Sequence, residues 1–124
     1  MNVDEMEMKK TLFIDIDGTL IKHKGNQSKM FMDEMEILPG VLEKLNEWDA
    51  NGYKIILTTG RKECLRKITE EQLLKNGIFF DQLIMGLTRG ERVLINDKKS
   101  ISDMNVATAI QLKRNEGIGN INNV

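Results

Sequence analysis

The chain has 124 residues, of which 40% are hydrophobic and 30% are charged, and its formal net charge is −1. This length predicts one compact domain with a single core rather than two folded domains. The balanced charge, without a dominant basic cluster, argues against specific nucleic-acid binding. There is no long apolar span or signal-peptide pattern, and the single cysteine cannot form an intrachain disulfide, so we expect a reduced, cytoplasmic protein away from membranes.

Both ends of the chain differ from the middle. Residues 1–10 are charged and show no hydrophobic period, and residues 116–124 are rich in glycine and asparagine. Such segments commonly fray at the surface. We therefore expect residues 1–124 to form a single domain with flexible ends at 1–10 and 116–124.

The apolar run at residues 12–16 predicts the first strand, because it is short, partly β-branched or aromatic, and followed closely by Gly18. A strand that is apolar on both faces is typical of a parallel sheet. Since side chains alternate, Asp15 and Asp17 point the same way at its carboxyl end, where open α/β sheets bind ligands. Two carboxylates this close favour a cation between them or different protonation states. This pattern indicates a metal and phosphate site.

The segment 21–37 is polar and carries several cationic side chains. His23 or Lys24 could face a phosphate, but a solvated loop is the simpler interpretation, because loops are commonly polar. After this segment, Pro39 opens a helix whose apolar residues recur on one face. These residues are Val41, Leu42, Leu45 and Trp48.

Further apolar runs predict the remaining strands. Residues 53–57 form the second strand, which makes a right-handed crossover unit with the first strand and the helix between them. An amphipathic helix at 62–75 then precedes a short third strand at 81–86. Residues 93–95 predict a fourth strand, and residues 106–112 alternate enough for a last strand but also allow a helix.

The sequence Asp-Ile-Asp-Gly-Thr-Leu at positions 15–20 resembles the first motif of the haloacid dehalogenase (HAD) superfamily of phosphotransferases. The resemblance implies that Asp15 is a nucleophile that forms an aspartyl-phosphate. It also implies that Asp17 is the general acid and base, which protonates the leaving oxygen and then activates water. Thr19 is placed to position Asp17 from the turn.

Thr59-Gly60-Arg61 resembles the second motif of this superfamily, in which a hydroxyl group and nearby backbone donors hold the phosphoryl group. A hydroxyl donates to phosphate oxygen without adding charge, and a following glycine leaves room for close backbone approach. The resemblance therefore makes Thr59 a catalytic residue, with Thr58 as an alternative in register. Arg61 is either a substrate contact or a surface ion pair, and we do not count it as catalytic.

The third motif of the superfamily usually supplies a lysine, but no lysine lies between Lys75 and Lys98. The resemblance therefore assigns the cation to Arg89, with Arg92 as the less favoured alternative. Arginine stays charged and binds phosphate bidentately, although its planar fork differs from an ammonium group. A plain surface arginine is an equally good interpretation.

Asn96-Asp97, after the predicted fourth strand, resembles the fourth motif, in which an acidic residue completes a magnesium site. The resemblance implies that Mg²⁺ is the cofactor, held by Asp15, Asp17 through its backbone carbonyl, and Asp97. Magnesium prefers near-octahedral oxygen ligands with several waters, which suits this set. Asn96 stands where an acid is more usual, and its part in the site is open, as is that of Asp103.

The resemblance covers residues 11 to about 112 and implies an α/β, three-layer Rossmann-like (HAD-type) domain with a mostly parallel central sheet. The gaps between motifs are too short for a cap domain, so we expect an open active site unless a partner subunit covers it. The implied function is a Mg²⁺-dependent phosphomonoester hydrolase. Its substrate would be a phosphorylated small molecule, such as a sugar phosphate or nucleotide, or a phosphorylated macromolecule. The resemblance also allows the chain to form a homo-oligomer.

Two other functions fit parts of the pattern. A catalytically impaired HAD-fold binding or regulatory module would explain the missing lysine and Asn96, although the retained pair Asp15 and Asp17 argues against it. A receiver domain like those of response regulators also surrounds an aspartyl-phosphate with acids, a hydroxyl and a cation. It would need a phosphoacceptor aspartate at the end of a further strand between the acid pair and the threonine, and that strand is absent, so it ranks third.

Overall fold

The structure is a computed structural model that describes residues 8–98 and 106–124. Its elements, in chain order, are β1 (Thr11–Asp15), α1 (Gln27–Met32), α2 (Val41–Ala50), β2 (Lys54–Thr58), a 3₁₀ helix (Glu63–Leu65), α3 (Arg66–Lys75) and β3 (Gln82–Ile84). Asp103 and residues 1–7 of the expected flexible N-terminal end lie outside the described residues. Within the described ranges, no helix combines the length and apolar character needed to cross a bilayer.

The three strands form one parallel sheet in the order β1-β2-β3. Asp15 is the register partner of Thr58, and Thr58 is in turn the partner of Ile84. The carboxyl ends of all three strands therefore meet at one edge of the sheet. This arrangement confirms the predicted α/β class with a parallel sheet.

The hydrophobic core lies against one face of the sheet. On that face, alternate side chains of the strands are buried together with apolar residues of α2 and α3, namely Leu12, Ile14, Ile55, Leu57, Leu83, Val41, Leu45, Trp48 and Leu73. On the opposite face Ile56 is buried, whereas Phe13 and Ile84 are 59% and 40% exposed. Buried and exposed side chains thus alternate along β1, as they do in a strand that packs on the core with one face only.

The helix stops follow local sequence signals. Gly52 after α2 and Gly77 after α3 adopt φ values of 79° and 81°, in the left-handed region that glycine enters without strain. Helix α1 begins after Asn26, whose side chain accepts a hydrogen bond from the Lys29 backbone N–H. Asparagine is a preferred N-cap residue. Asn26 could therefore have indicated this helix, which we did not predict in the segment 21–37.

The predicted fourth strand is wrong in the described structure. Residues 93–95 form no strand, and Val93, Leu94 and Ile95 are 72%, 63% and 92% exposed. An apolar run favours a strand only when a neighbouring strand supplies backbone partners and its side chains find a surface to pack on. Residues 106–112 likewise form neither of the two predicted alternatives, strand or helix.

The last described residues return to the core. Ile118 is 1% exposed and belongs to the hydrophobic cluster. A Cβ atom added to Gly117 would lie 2.3 Å from the Pro39 carbonyl oxygen, and one added to Gly40 would lie 2.3 Å from the Gly119 Cα. Only glycine permits so close an approach of two backbones. No local pattern in the sequence predicts this packing, and flexibility of residues 116–124 stays a prediction.

Candidate active site

A tight turn directly after β1 shapes the candidate site. The Ile16 carbonyl accepts hydrogen bonds from the backbone N–H groups of Thr19, Leu20 and Ile21, at 3.2, 2.9 and 3.2 Å. Gly18 adopts a φ of 92°, which a residue with a side chain rarely does. We call residues 16–21 the acidic turn. It lies at the carboxyl edge of the sheet and holds Asp17 there, next to Asp15 at the end of β1.

Asp15 ends β1 and is exposed. Partial removal of its carboxyl group from water raises its pKa above the ordinary value of 3.8, and the negative charge of Asp17 raises the pKa further. The charge of Arg92 and the hydrogen bond from the Thr19 hydroxyl, at 3.4 Å, act in the opposite direction without cancelling the rise. Asp15 is therefore an accessible carboxyl group beside a second acid.

Asp17 is much more enclosed, with 15% of its side chain exposed. Arg61 Nη2 lies 3.0 Å from Oδ1, and Arg61 Nε lies 3.2 and 3.3 Å from the two carboxylate oxygens. The Thr59 hydroxyl donates to Oδ2 at 2.8 Å. Both oxygens of Asp17 thus accept hydrogen bonds in a fixed orientation. Arg61, which is 2% exposed, is a buried partner of Asp17 and not a surface arginine.

The two threonines at the end of β2 have different surroundings. Thr59 is fully buried, donates its hydroxyl hydrogen to Asp17 and accepts a hydrogen bond from the Arg61 backbone N–H at 3.1 Å. Thr58 is partly exposed and is the register partner of Asp15 on the adjacent parallel strand. Side chains at paired positions lie on the same face of a sheet. Of the two threonines at the end of β2, Thr58 is therefore the one whose side chain lies on the same face of the sheet as Asp15.

The loop after β3 brings Arg92 into electrostatic reach of Asp15. The positive charge of Arg92 lowers the pKa of Asp15. Arg92 Nη1 donates to the carbonyl oxygens of Thr88 and Gly90 at 2.6 and 2.8 Å, which holds its side chain against its own loop. Arg89 is exposed.

The predicted magnesium ligands are only partly brought together. Asp15 and Asp17 are neighbours, but Asp97 is exposed, and within residues 8–98 and 106–124 no group of three or more His, Cys, Asp or Glu residues is arranged to hold a metal ion. Asp15 and the acidic turn offer oxygen donors, the type that Mg²⁺ prefers. Burial and, after it, the negative charge of Asp17 raise the pKa of Asp15, and a cation bound beside the two carboxylates would oppose that rise. The residues therefore fit two of the three predicted ligand positions.

Asn115 ties the C-terminal segment to the acidic turn. Its backbone N–H donates to the Gly18 carbonyl at 2.8 Å, its Oδ1 accepts from the His23 backbone N–H at 2.7 Å, and its Nδ2 donates to the His23 carbonyl at 3.3 Å. The Arg114 side chain lies along Gly18, with Cγ 3.2 Å from the point where a Cβ would stand. Asn115 has a φ of 64°, and asparagine enters this region more readily than most residues. Neither residue was predicted from the sequence to lie at the site.

The parallel sheet, the acidic turn at its carboxyl edge and the hydroxyl on the next strand agree with an α/β domain of the HAD type. The family model described as "HAD superfamily, subfamily IIIB (Acid phosphatase)" matches residues 1–116. The chain therefore belongs to this phosphatase family, which confirms the resemblance seen in the motifs.

Two solved structures share the fold. A chain in a structure of the Pnkp1/Rnl/Hen1 complex is 32% identical, with a TM-score of 0.55, over 68% of this chain and 30% of that chain. A structural-genomics target from Vibrio cholerae is 23% identical, with a TM-score of 0.52, over 78% of this chain and 90% of that one. The chain thus spans less than a third of the first relative. No curated protein matches it.

Proposed function

We propose that the protein is a phosphomonoester hydrolase that acts through an aspartyl-phosphate on Asp15. The observation that supports this most strongly is the contrast between its two acids. Asp15 is exposed at the end of β1, as a nucleophile that meets its substrate must be, while Asp17 is held by Thr59 and Arg61. A general acid and base needs such a fixed position. Membership of a phosphatase family supports the same chemistry.

The proposed reaction has two halves. In the first, an Asp15 carboxylate oxygen attacks phosphorus, the bond from phosphorus to the ester oxygen breaks, and Asp17 gives its proton to the departing alkoxide. In the second, Asp17 takes a proton from water, the water oxygen bonds to phosphorus, and the bond to Asp15 breaks. Inorganic phosphate leaves, and both aspartates return to their starting states.

We propose Mg²⁺ as the cofactor, held by the Asp15 carboxylate, the Asp17 backbone carbonyl and the Asp97 carboxylate. When bound, the metal would supply positive charge against the oxygens of the phosphoryl group. The neighbouring acids at Asp15 and Asp17 support this proposal. Asp97 has to move toward them to complete the set, because the described residues do not gather the three acids into one cluster.

The candidates for direct contacts with the phosphoryl group are two threonines and two arginines, namely Thr58, Thr59, Arg89 and Arg92. We place the phosphoryl-binding hydroxyl at Thr58, because it is partly exposed beside Asp15 while the Thr59 hydroxyl is engaged with Asp17. We place the cation at Arg92, because its charge acts on Asp15. Thr59 and Arg89, the residues assigned from the motifs, are the alternatives that mutagenesis has to separate.

The function is tested by phosphate release from a panel of phosphomonoesters, with Mg²⁺ or with a chelator. The panel contains sugar phosphates, nucleotides, a phosphopeptide and a 5′-phosphorylated oligonucleotide, so that it covers small and large substrates. Asp15→Asn serves as the control for contaminating phosphatases. We expect release that needs both the metal and Asp15. If no ester gives more phosphate than the variant, the binding or regulatory module replaces the enzyme as the best interpretation.

A further inference from the structure

Arg61 is a buried arginine whose contacts divide between two sides. Its Nε and Nη2 face Asp17, while Nη1 donates to the Thr69 hydroxyl and to Gln72 Oε1, both at 3.1 Å. Burying a guanidinium group is costly unless its charge is paired and its N–H groups are satisfied. Arg61 meets both conditions, and among the described residues no buried side-chain nitrogen or oxygen lacks a partner.

The side of Arg61 away from Asp17 is anchored to helix α3. Thr69 is fully buried in that helix. Gln72 holds its own orientation by donating from Nε2 to the Phe31 carbonyl oxygen of α1 at 3.2 Å. Two acceptors on successive turns of one helix therefore fix Nη1 in place. The guanidinium plane is set by the protein, and Asp17 is bound to the opposite end of that plane.

We propose that Arg61 is a positioning residue, which Thr69 and Gln72 hold in place so that its guanidinium group keeps the Asp17 carboxyl directed for proton transfer. The inference rests on the proposed function, because Arg61 acts only through the general acid and base Asp17. An aspartate side chain turns about two bonds, and the pair formed by Arg61 Nε and Nη2 fixes both. Misplacement of a catalytic group by about 1 Å can lower turnover by about 100-fold.

The leaving group distinguishes positioning of Asp17 from mere support of the fold. An alkyl phosphate releases a strongly basic alkoxide and needs the proton from Asp17, whereas 4-nitrophenyl phosphate releases a stable anion that leaves without one. The quantity kcat/KM reports the steps up to loss of the leaving group. A loss of folded protein lowers kcat/KM for both esters equally. A misplaced Asp17 lowers it selectively for the alkyl ester.

The test compares Arg61→Lys, Asp17→Asn and wild type on both esters, with the folded fraction checked by urea unfolding. Lysine keeps the charge of Arg61 but has no planar pair of donors. A general acid commonly contributes about 10²- to 10⁴-fold, so for Arg61→Lys we expect a loss of at least about 10-fold on the alkyl ester and less than about threefold on the nitrophenyl ester. Asp17→Asn should show the same selectivity more strongly.

Thr69→Val and Gln72→Met keep Arg61 but remove one anchor each, so they test the inference even where Arg61→Lys does not fold. We expect a smaller loss with the same selectivity, and no loss for Glu71→Gln on the exposed side of the same helix. If Asp17→Asn shows no selectivity, the role of Asp17 in the proposed function is wrong. If Asp17→Asn is selective while the Arg61, Thr69 and Gln72 variants lower both esters equally, Arg61 is structural and only this inference is overturned.

Discussion

Single residues at the end of β2 show how neighbouring positions with the same side chain differ in role. We expect Thr58→Val to lower kcat/KM by about 10- to 100-fold, because a hydrogen bond to a charged group contributes about 1.5 to 3 kcal/mol, and to leave the urea midpoint unchanged. We expect Thr59→Val to lower the free energy of unfolding by about 1 to 3 kcal/mol, because valine cannot donate a hydrogen bond to Asp17 and cannot accept one from the buried backbone N–H of Arg61. Equal stability of both variants, with activity lost only in Thr59→Val, would return the phosphate contact to Thr59.

The charge of Asp15 carries a prediction about pH. A carboxyl group with a raised pKa binds more protons in the folded than in the unfolded protein, so the free energy of unfolding falls as pH rises from the ordinary value of 3.8 through the raised pKa. Asp15→Asn removes this charge. We therefore expect a higher urea midpoint than wild type at pH 7, and a gain that disappears as pH falls below 3.8.

Unfolding of the Asp15→Asn variant is measured with a chelator present, so that metal binding does not enter. Glu71→Gln, which neutralises an exposed helix carboxylate, is the matched control and should show no comparable gain at pH 7. A gain that is the same at pH 3 and pH 7 would mean that the effect of the amide does not come from charge.

At the scale of elements, the contact between the C-terminal segment and the start of α2 depends on glycines. Gly117 and Gly86 have similar φ values of 83° and 75°, so alanine meets a similar backbone strain at both positions, about 1 to 2 kcal/mol. A Cβ at Gly117 would also lie 2.3 Å from the Pro39 carbonyl oxygen, whereas one at Gly86 meets nothing within 4 Å. We expect Gly117→Ala to lower the free energy of unfolding clearly more than Gly86→Ala, as measured by urea unfolding. Equal losses would show that the close contact adds nothing.

The elements that the sequence predicts well are those whose signal is local. Strands β1 and β2 follow from short apolar runs, and the ends of α2 and α3 follow from Asn-Gly pairs, since the left-handed turn that stops a helix needs no distant partner. The run at 93–95 carries an equally good local signal and forms no strand, because strand formation needs a neighbour that the signal does not contain.

In the candidate site, too, some features follow from local sequence signals, whereas others depend on distant residues. Asp15 and Asp17 are evident from their motif, and the parallel register that puts Thr58 beside Asp15 follows from the sheet. The burial of Arg61 and the contacts of Asn115 depend on residues of other elements. The sequence around Arg61 or Asn115 contains no pattern that predicts this burial or these contacts. Charge and hydrogen-bonding capacity indicate what a side chain can do, but its partners are decided by packing.

At the scale of the whole molecule, the contacts of Asn115 bear on the order of folding. Asn115 and His23 are 92 residues apart, yet their hydrogen bonds complete the surroundings of the acidic turn. Closing so long a loop costs more chain entropy than pairing β1 with β2, and long-range contacts slow folding. An early intermediate would then possess the sheet without a finished acidic turn. In pulse-labelling hydrogen exchange during refolding, we expect the Asn115 amide to become protected after the β2 amides of Ile55 and Leu57; simultaneous protection would show that sheet and turn form in one step.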